Sequence, residues 1–157
     1  MELPDKPIQF SLVVQAWKGQ EVIRQGPSRI IYRFLLDLPV DKTHPVTAFA
    51  LTANPIEKKE LSASWTPCSD EDALERGKPD EDKKYLEPKE GSFWNDTKNT
   101  PSSVRQLTSG TVTFFIINDF WKFLIKSKHL KGLFTLKRQG KTNLWTWKKS
   151  AGPGGKK

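Results

Sequence analysis

The sequence predicts a small, mostly-β domain in which about eight strands close into a barrel. Three observations support this fold class. Apolar residues recur with a period of two through most of the chain, and turn-forming residues separate these runs. Seventeen of the 157 residues are aromatic, and each aromatic side chain buries a large area. A chain of this length fits one domain with one core.

The two N-terminal strands have the clearest alternation. The first is predicted at 8–17, with Ile8, Phe10, Leu12, Val14 and Ala16 on one face. The second is predicted at 29–38, with Ile30, Tyr32, Phe34, Leu36 and Leu38 on one face. Its opposite face is half apolar, which indicates that both faces contact protein, as in a barrel wall.

The rest of the chain continues the β pattern. Six more strands are predicted, at 46–53, 60–65, 111–117, 120–125, 132–138 and 143–148. Capping residues predict two short helices, at 69–77 and at 100–107. The barrel domain therefore occupies residues 1–149, and a disordered Gly/Lys tail occupies 150–157.

Charge is concentrated at the C-terminal end. Residues 120–157 contain eleven Lys or Arg and no Asp or Glu, and aromatic residues are interleaved with them. This pattern is typical of surfaces that bind polyanions. The predicted phosphate contacts are Lys126, Lys128, Lys131, Lys137, Arg138 and Lys148. Trp145 and Trp147 either stack on bases, if exposed, or belong to the core; the basic end itself can also be only a solvated tail.

Other features bear on partners and location. The acidic loop at 78–90 is a candidate docking segment for a basic protein partner. The first residues lack the pattern of a signal peptide, and no apolar run approaches the roughly 18 residues of a membrane span. Cys68 is the single cysteine, so no intramolecular disulfide can form. We expect a cytoplasmic protein without a membrane partner.

The residues by themselves indicate no reaction. His44 and His129 have no second histidine or carboxylate at ligand spacing, so both are interpreted as surface residues. The acids near Cys68 disfavour its thiolate, and hence a nucleophilic role. Glycine-rich phosphate loops are absent from the sequence. Neither a catalytic residue nor a metal site is predicted on these grounds.

Several segments do follow the order of a known family. They are PKEGSFW at 88–94, QLTSGTVTF at 106–114, HLKGLFTLKR at 129–138 and NLWTWK at 143–148, preceded by LVVQAW at 12–17 and IYRFLLD at 31–37. Together these segments resemble the 3′-phosphoesterase domain of bacterial ligase D, which archaea also contain as a separate protein. The resemblance covers roughly residues 8–149. It implies a β-barrel that removes 3′-phosphates and ribonucleotides from DNA ends with a divalent metal such as manganese.

In the family, the chemistry lies in histidines, an aspartate and an arginine inside the barrel mouth. By this alignment Trp17 and Ile31 replace two histidines, Arg33 replaces the aspartate, Leu35 the arginine and Asn54 a further histidine. Apolar side chains cannot ligate a metal, and Arg33 would repel one. The resemblance therefore implies a mouth filled by apolar packing.

The prediction for function is a non-catalytic, 3′-phosphoesterase-like domain that binds DNA ends in repair or end metabolism, without a cofactor. Two alternatives remain open from the sequence. The first is a scaffold domain that binds a protein partner. The second is a surviving phosphoesterase that uses manganese and other ligands.

Overall fold

The computed structural model describes residues 2–17, 30–76, 78 and 102–150. Within these residues the chain forms β1 Ile8–Trp17, β2 Ile30–Leu36, β3 Thr47–Leu51, β4 Glu60–Trp65, β5 Ser102–Ile117, β6 Phe120–Ser127, β7 Gly132–Arg138 and β8 Leu144–Lys149. The strands pair antiparallel in the order β1-β2-β3-β4-β8-β7-β6-β5, and β5 returns to β1 to close a barrel. The predicted mostly-β barrel is confirmed.

Aromatic residues fill the interior, because alternate positions of every strand point inward. The rings of Phe34 and Trp147 meet edge to face with centroids 5.0 Å apart. Phe49 makes the same type of contact with Trp121 and Trp145. Trp145 is only 5% exposed and Trp147 is fully buried. Both tryptophans therefore belong to the core, and the option that they stack on bases at the surface is wrong.

A second, smaller hydrophobic cluster lies outside the barrel wall. Its buried members are Val13, Leu35, Val46, Ala48, Cys68, Ala73 and Val104. The segment that follows β4 covers this part of the wall, where Cys68 pairs with Val46 in an isolated bridge. Phe34, Leu35 and Leu36 are all fully buried, so the prediction that β2 contacts protein on both faces is confirmed.

Both predicted helices are corrected. The first is reduced to a 3-10 turn, Ala73–Glu75, and Cys68, just before its predicted start, is held in the bridge to Val46 ahead of β3. The second is wrong, because Ser102 to Leu107 begin β5. Pairing of this segment with β1 closes the barrel, and these backbone hydrogen bonds outweigh the local capping signal of Thr100 and Pro101.

Two further predictions fall mostly outside the described residues. Apart from Lys78, the acidic loop at 78–90 is not among them. The same holds for the tail at 150–157, apart from Ser150.

Candidate nucleic-acid interface and barrel mouth

The outer surface of β6, β7 and β8 carries four lysines, and we call it the basic face. Its lysines are Lys122, Lys126, Lys137 and Lys148. They point outward because the residues that alternate with them are the core residues of the same strands. Lys126, Lys137 and Lys148 are exposed, and Lys122 is half-buried.

The strand register sets the spacing of these cations. Lys122, Thr135 and Lys148 lie side by side across the three strands. Lys137 is two residues beyond Thr135, so it is the diagonal neighbour of both Lys122 and Lys148. Diagonal neighbours on one face of an antiparallel sheet are about 7–8 Å apart. Three lysines from three strands therefore form one triangular cluster.

Two more predicted contacts continue from this face. Lys128 and Lys131 are exposed on the connection between β6 and β7. The turn is fixed by Ser127, whose Oγ donates to the carbonyl of Leu130 at 2.6 Å and accepts from its backbone N–H at 2.9 Å. The two lysines thus lie just beyond Lys126, at one end of the barrel.

Arg138 is not part of the basic face. It occupies an inward position opposite Trp145, at the other end of the barrel. Its Nε donates to the carbonyl of Thr142 at 2.7 Å, and Nη1 lies 3.3 Å from Oδ1 of Asp119. Sequence reasoning grouped Arg138 with the lysines and missed Lys122, although the alternation of Lys122 with Trp121 and Phe123 would have placed it outward.

Apolar side chains are exposed beside the lysines. A bulge between Phe114 and Ile116 interrupts the pairing of β5 with β6, and both Phe115 and Ile116 face solvent. Ile116 is the register partner of Lys122. Phe120 is 36% exposed and lies directly opposite Lys137. The basic face therefore has aromatic and aliphatic side chains at its β5 edge.

The mouth of the barrel at the Arg138 end contains a cavity of about 640 Å³. Its inner wall is formed by Trp65, Trp121 and Trp145, and Trp65 stacks on Trp145 with centroids 6.5 Å apart and planes inclined at 28°. Asp119 and Arg138 contribute polar groups to the lining. The interior of the barrel is thus filled, but this end is open to a ligand with an apolar body and polar edges.

Three of the positions that the resemblance assigns to the ancestral active site do not line this mouth. Ile31, Arg33 and Leu35 alternate with inward-facing residues of β2, so they lie on the outer face of the wall. Arg33 is 5% exposed, and its Nε donates to Oε1 of Gln15 at 2.9 Å. The prediction of an apolar plug inside the mouth is therefore wrong, because these side chains point away from it.

The other two positions are separate from this group. The backbone of Trp17 pairs with Ser102 at the end of β1. Asn54 lies between β3 and β4, where its side-chain oxygen accepts the backbone N–H of Ile56 at 3.0 Å. This hydrogen bond, with the carbonyl of Asn54 accepting from Glu57 and Lys58, gives Asn54 a role in the turn.

The described residues at these positions do not fit the manganese ion that the resemblance implies. A guanidinium and two aliphatic side chains offer no metal ligand. Among residues 2–17, 30–76, 78 and 102–150, no three His, Cys, Asp or Glu side chains come together. Nδ1 of His44 contacts Oδ1 of Asp41 at 3.0 Å, and this contact holds the pKa of Asp41 below its usual value. His129 is exposed on the β6–β7 connection.

No known family model and no curated protein matches this chain. Membership of the 3′-phosphoesterase family therefore stays a prediction. In the described part of the chain, none of the helices has the length and apolarity to cross a bilayer. What the arrangement offers chemically is a cluster of cations with exposed rings beside it, and an aromatic cavity around the adjacent end of the barrel.

Proposed function

We propose that this domain binds nucleic acid through the basic face, without catalysing a reaction. One observation carries the proposal: Lys122, Lys137 and Lys148 come from three strands and form one cluster, in a stretch of sequence without a single acid. Lysines that neutralise phosphates release condensed counterions, and this release drives binding to any nucleic acid sequence. If these lysines served only solubility, as in a solvated tail, strand pairing would not need to bring them together in one cluster.

The surroundings of the cluster favour a polyanion with bases. Phe120 and Phe115 present rings beside the lysines, and an exposed ring can stack on an unpaired base. Lys126, Lys128 and Lys131 extend the positive surface toward one end of the barrel. On the opposite border, Glu60 of β4 is the register partner of Lys148, so the positive region ends there. The rings favour single-stranded or frayed ends over an intact duplex.

The resemblance to the 3′-phosphoesterase domain supports DNA ends as the ligand, in repair or end metabolism. The non-catalytic half of the proposal is supported by the chemistry of the aligned positions, because Ile31, Arg33 and Leu35 offer no metal ligand and lie on the outer face of the wall, away from the mouth. Release of phosphate from a 3′-phosphorylated primer that requires manganese and stops with chelator would contradict this half.

The binding half is tested with fluorescence anisotropy on a labelled single strand and a labelled duplex, each across a range of salt concentrations. Four lysine contacts predict a slope of log K against log salt of about −3 on the single strand and about −3.6 on the duplex. The variant with Lys122, Lys126, Lys137 and Lys148 all changed to Gln should make the slope shallower by these amounts.

Lys42→Gln is the matched control, because Lys42 is exposed between β2 and β3, across the closed barrel from β6 and β7. It should leave the wild-type slope unchanged. A flat salt response of the wild type, or equal binding by the fourfold variant, would exclude the basic face as the interface.

A further inference from the structure

The cavity at the barrel mouth has the composition of a site for a flat, nitrogen-containing ring. Trp65 is half-buried and stacks on Trp145, and Trp121 meets both nearly edge-on, so the wall presents the ring surface of Trp65, supported by two buried rings. Residues with acceptor groups belong to the same lining, namely Glu2, Asp119 and Asn143. Arg138 contacts Oδ1 of Asp119, and the second oxygen can accept from a ligand.

The charges of the mouth repel a phosphate, whereas those of the basic face attract one. Two carboxylates and one guanidinium belong to the lining, which disfavours the entry of a phosphate. Acceptors favour a ligand that donates hydrogen bonds, such as the exocyclic amino group of adenine, cytosine or guanine. Thymine has no exocyclic amino group, and its one base donor, the ring N3–H, lies between two carbonyl oxygens that a carboxylate repels. The base of a strand and its phosphates would therefore be directed to different parts of the molecule.

The two parts adjoin each other in the chain. Phe120 of the basic face is followed by Trp121 of the cavity wall, and Lys137 of the face is followed by Arg138 of the mouth. Each pair is one residue apart on a strand, so the two side chains lie on opposite sides of one thin wall. A strand whose phosphates contact Lys137 is thus close to the entrance of the cavity.

We infer that the barrel mouth binds a single nucleobase that carries an exocyclic amino group, as the terminal base of a strand whose phosphates lie on the basic face. The identity of this ligand rests on the proposed function, whereas the site itself is defined by the aromatic wall and the acceptors at its rim. Contact with the accessible ring surface of Trp65, which the buried rings of Trp121 and Trp145 support, supplies affinity that tolerates any base, and Asp119 supplies the preference for an amino group.

The test uses nucleosides, which have no phosphate, at 0.5 M salt, where the contribution of the basic face is largely screened. The indole N–H signals of the protein are followed by NMR during titration with adenosine, cytidine, guanosine and thymidine. Trp145 and Trp147 form a matched pair, because neither Nε1 has a hydrogen-bond partner among the described residues and only Trp145 lines the cavity. The signals of Trp65, Trp121 and Trp145 should shift and saturate, and that of Trp147 should stay in place.

Asp119→Asn should weaken binding of the three amino-bearing nucleosides by about tenfold and leave thymidine unchanged. The variant should fold, because Asp119 is 79% exposed and its ion pair with Arg138 lies at the surface. Asp72→Asn, an exposed acid on the segment outside the wall, is the control and should bind as the wild type does.

The outcomes separate this inference from the proposed function. Absence of shifts at the three cavity tryptophans, or equal affinity for thymidine, overturns the inference even when oligonucleotides bind the basic face. Nucleoside binding at the mouth without salt-dependent oligonucleotide binding overturns the proposed function and leaves the mouth as a nucleoside site. Equal shifts at Trp145 and Trp147 would also overturn the inference, since they indicate a change of the whole core.

Discussion

Arg33 and Gln15 are diagonal neighbours on β2 and β1, and the Nε of Arg33 donates to the Oε1 of Gln15 at 2.9 Å outside the barrel wall. Both side chains are buried. Val13, the register partner of Arg33, belongs to the outer hydrophobic cluster. A buried cation is stable only when its donors have hydrogen-bond acceptors, so this hydrogen bond contributes to the stability of the fold.

We expect Arg33→Met to lower the free energy of unfolding by about 2 kcal/mol, because the apolar side chain leaves the Gln15 oxygen without this donor in a buried setting. Urea denaturation followed by tryptophan fluorescence measures the change. Arg105→Met is the control, since Arg105 is exposed on β5 and its loss should change the stability by less than about 0.5 kcal/mol. Equal losses of stability in the two variants would contradict a stabilising role for the buried hydrogen bond of Arg33.

The thiol of Cys68 should be unreactive in the folded protein. Burial raises its pKa from an ordinary 9.0 to about 12, although the hydrogen bond from the backbone N–H of Asp70 to the sulfur favours the thiolate. Because the folded state holds the thiol proton more tightly, this group contributes stability that is present below pH 9 and is lost as the pH rises toward 12. The difference in unfolding free energy between the wild type and Cys68→Ala should therefore fall by up to about 1.4 kcal/mol per pH unit in that range.

Contributions that the wild type and Cys68→Ala have in common cancel in this comparison. Labelling with Ellman's reagent at pH 8 gives an independent measurement. It should be slow in the native state and rapid in urea. Rapid labelling of the native protein would place the thiol at the surface and contradict its burial.

The strand pattern was predictable from sequence because each strand has a local signal. The strands Glu60–Trp65 and Gly132–Arg138 have the predicted bounds, since turns and alternation define both ends. The start of β5 was not predictable, because Thr100 and Pro101 form a local helix signal and the partner strand lies some ninety residues away in sequence. Closure of the barrel depends on hydrogen bonds between residues far apart in sequence, and these bonds determine the conformation of 102–107.

The candidate site was predictable only in part. The acid-free run of lysines identified the correct side of the barrel, because alternate residues of a strand share a face. Which residues cluster depends on the register between strands, and this register joined Lys122 with Lys148 and excluded Arg138. The cavity at the mouth combines Trp65, Trp121 and Trp145 from three strands, and only the closed barrel brings these residues together.

Any side chain at Gly110 should destabilise the contact between β5 and β6. A Cβ atom at this position would lie 2.0 Å from the carbonyl oxygen of Lys126, which belongs to the backbone of the neighbouring strand. Gly110→Ala therefore forces the two strands apart and should lower the unfolding free energy by about 3 kcal/mol. Thermal denaturation by circular dichroism reports the loss.

Gly140 provides the contrast, because it has φ +63° and no atom within 4 Å of an added Cβ. Asn tolerates this left-handed conformation, so Gly140→Asn should change the stability by less than about 1 kcal/mol. If Gly110→Ala were as stable as Gly140→Asn, the close approach of β5 and β6 at this point would be refuted.

Lys137 and Arg138 are adjacent in sequence, yet they should differ in their effect on nucleic acid binding. Lys137 is exposed on the basic face, whereas Arg138 is engaged at the mouth by Asp119 and by the carbonyls of Lys141 and Thr142. We expect Lys137→Gln to make the slope of log K against log salt shallower by about 0.7 on a single strand, the value for one lost phosphate contact. Arg138→Gln should leave the slope unchanged, because its cation is directed away from the phosphates. Both variants remove one positive charge, so a dependence on net charge alone would give them equal slopes, and that result would contradict a localised interface.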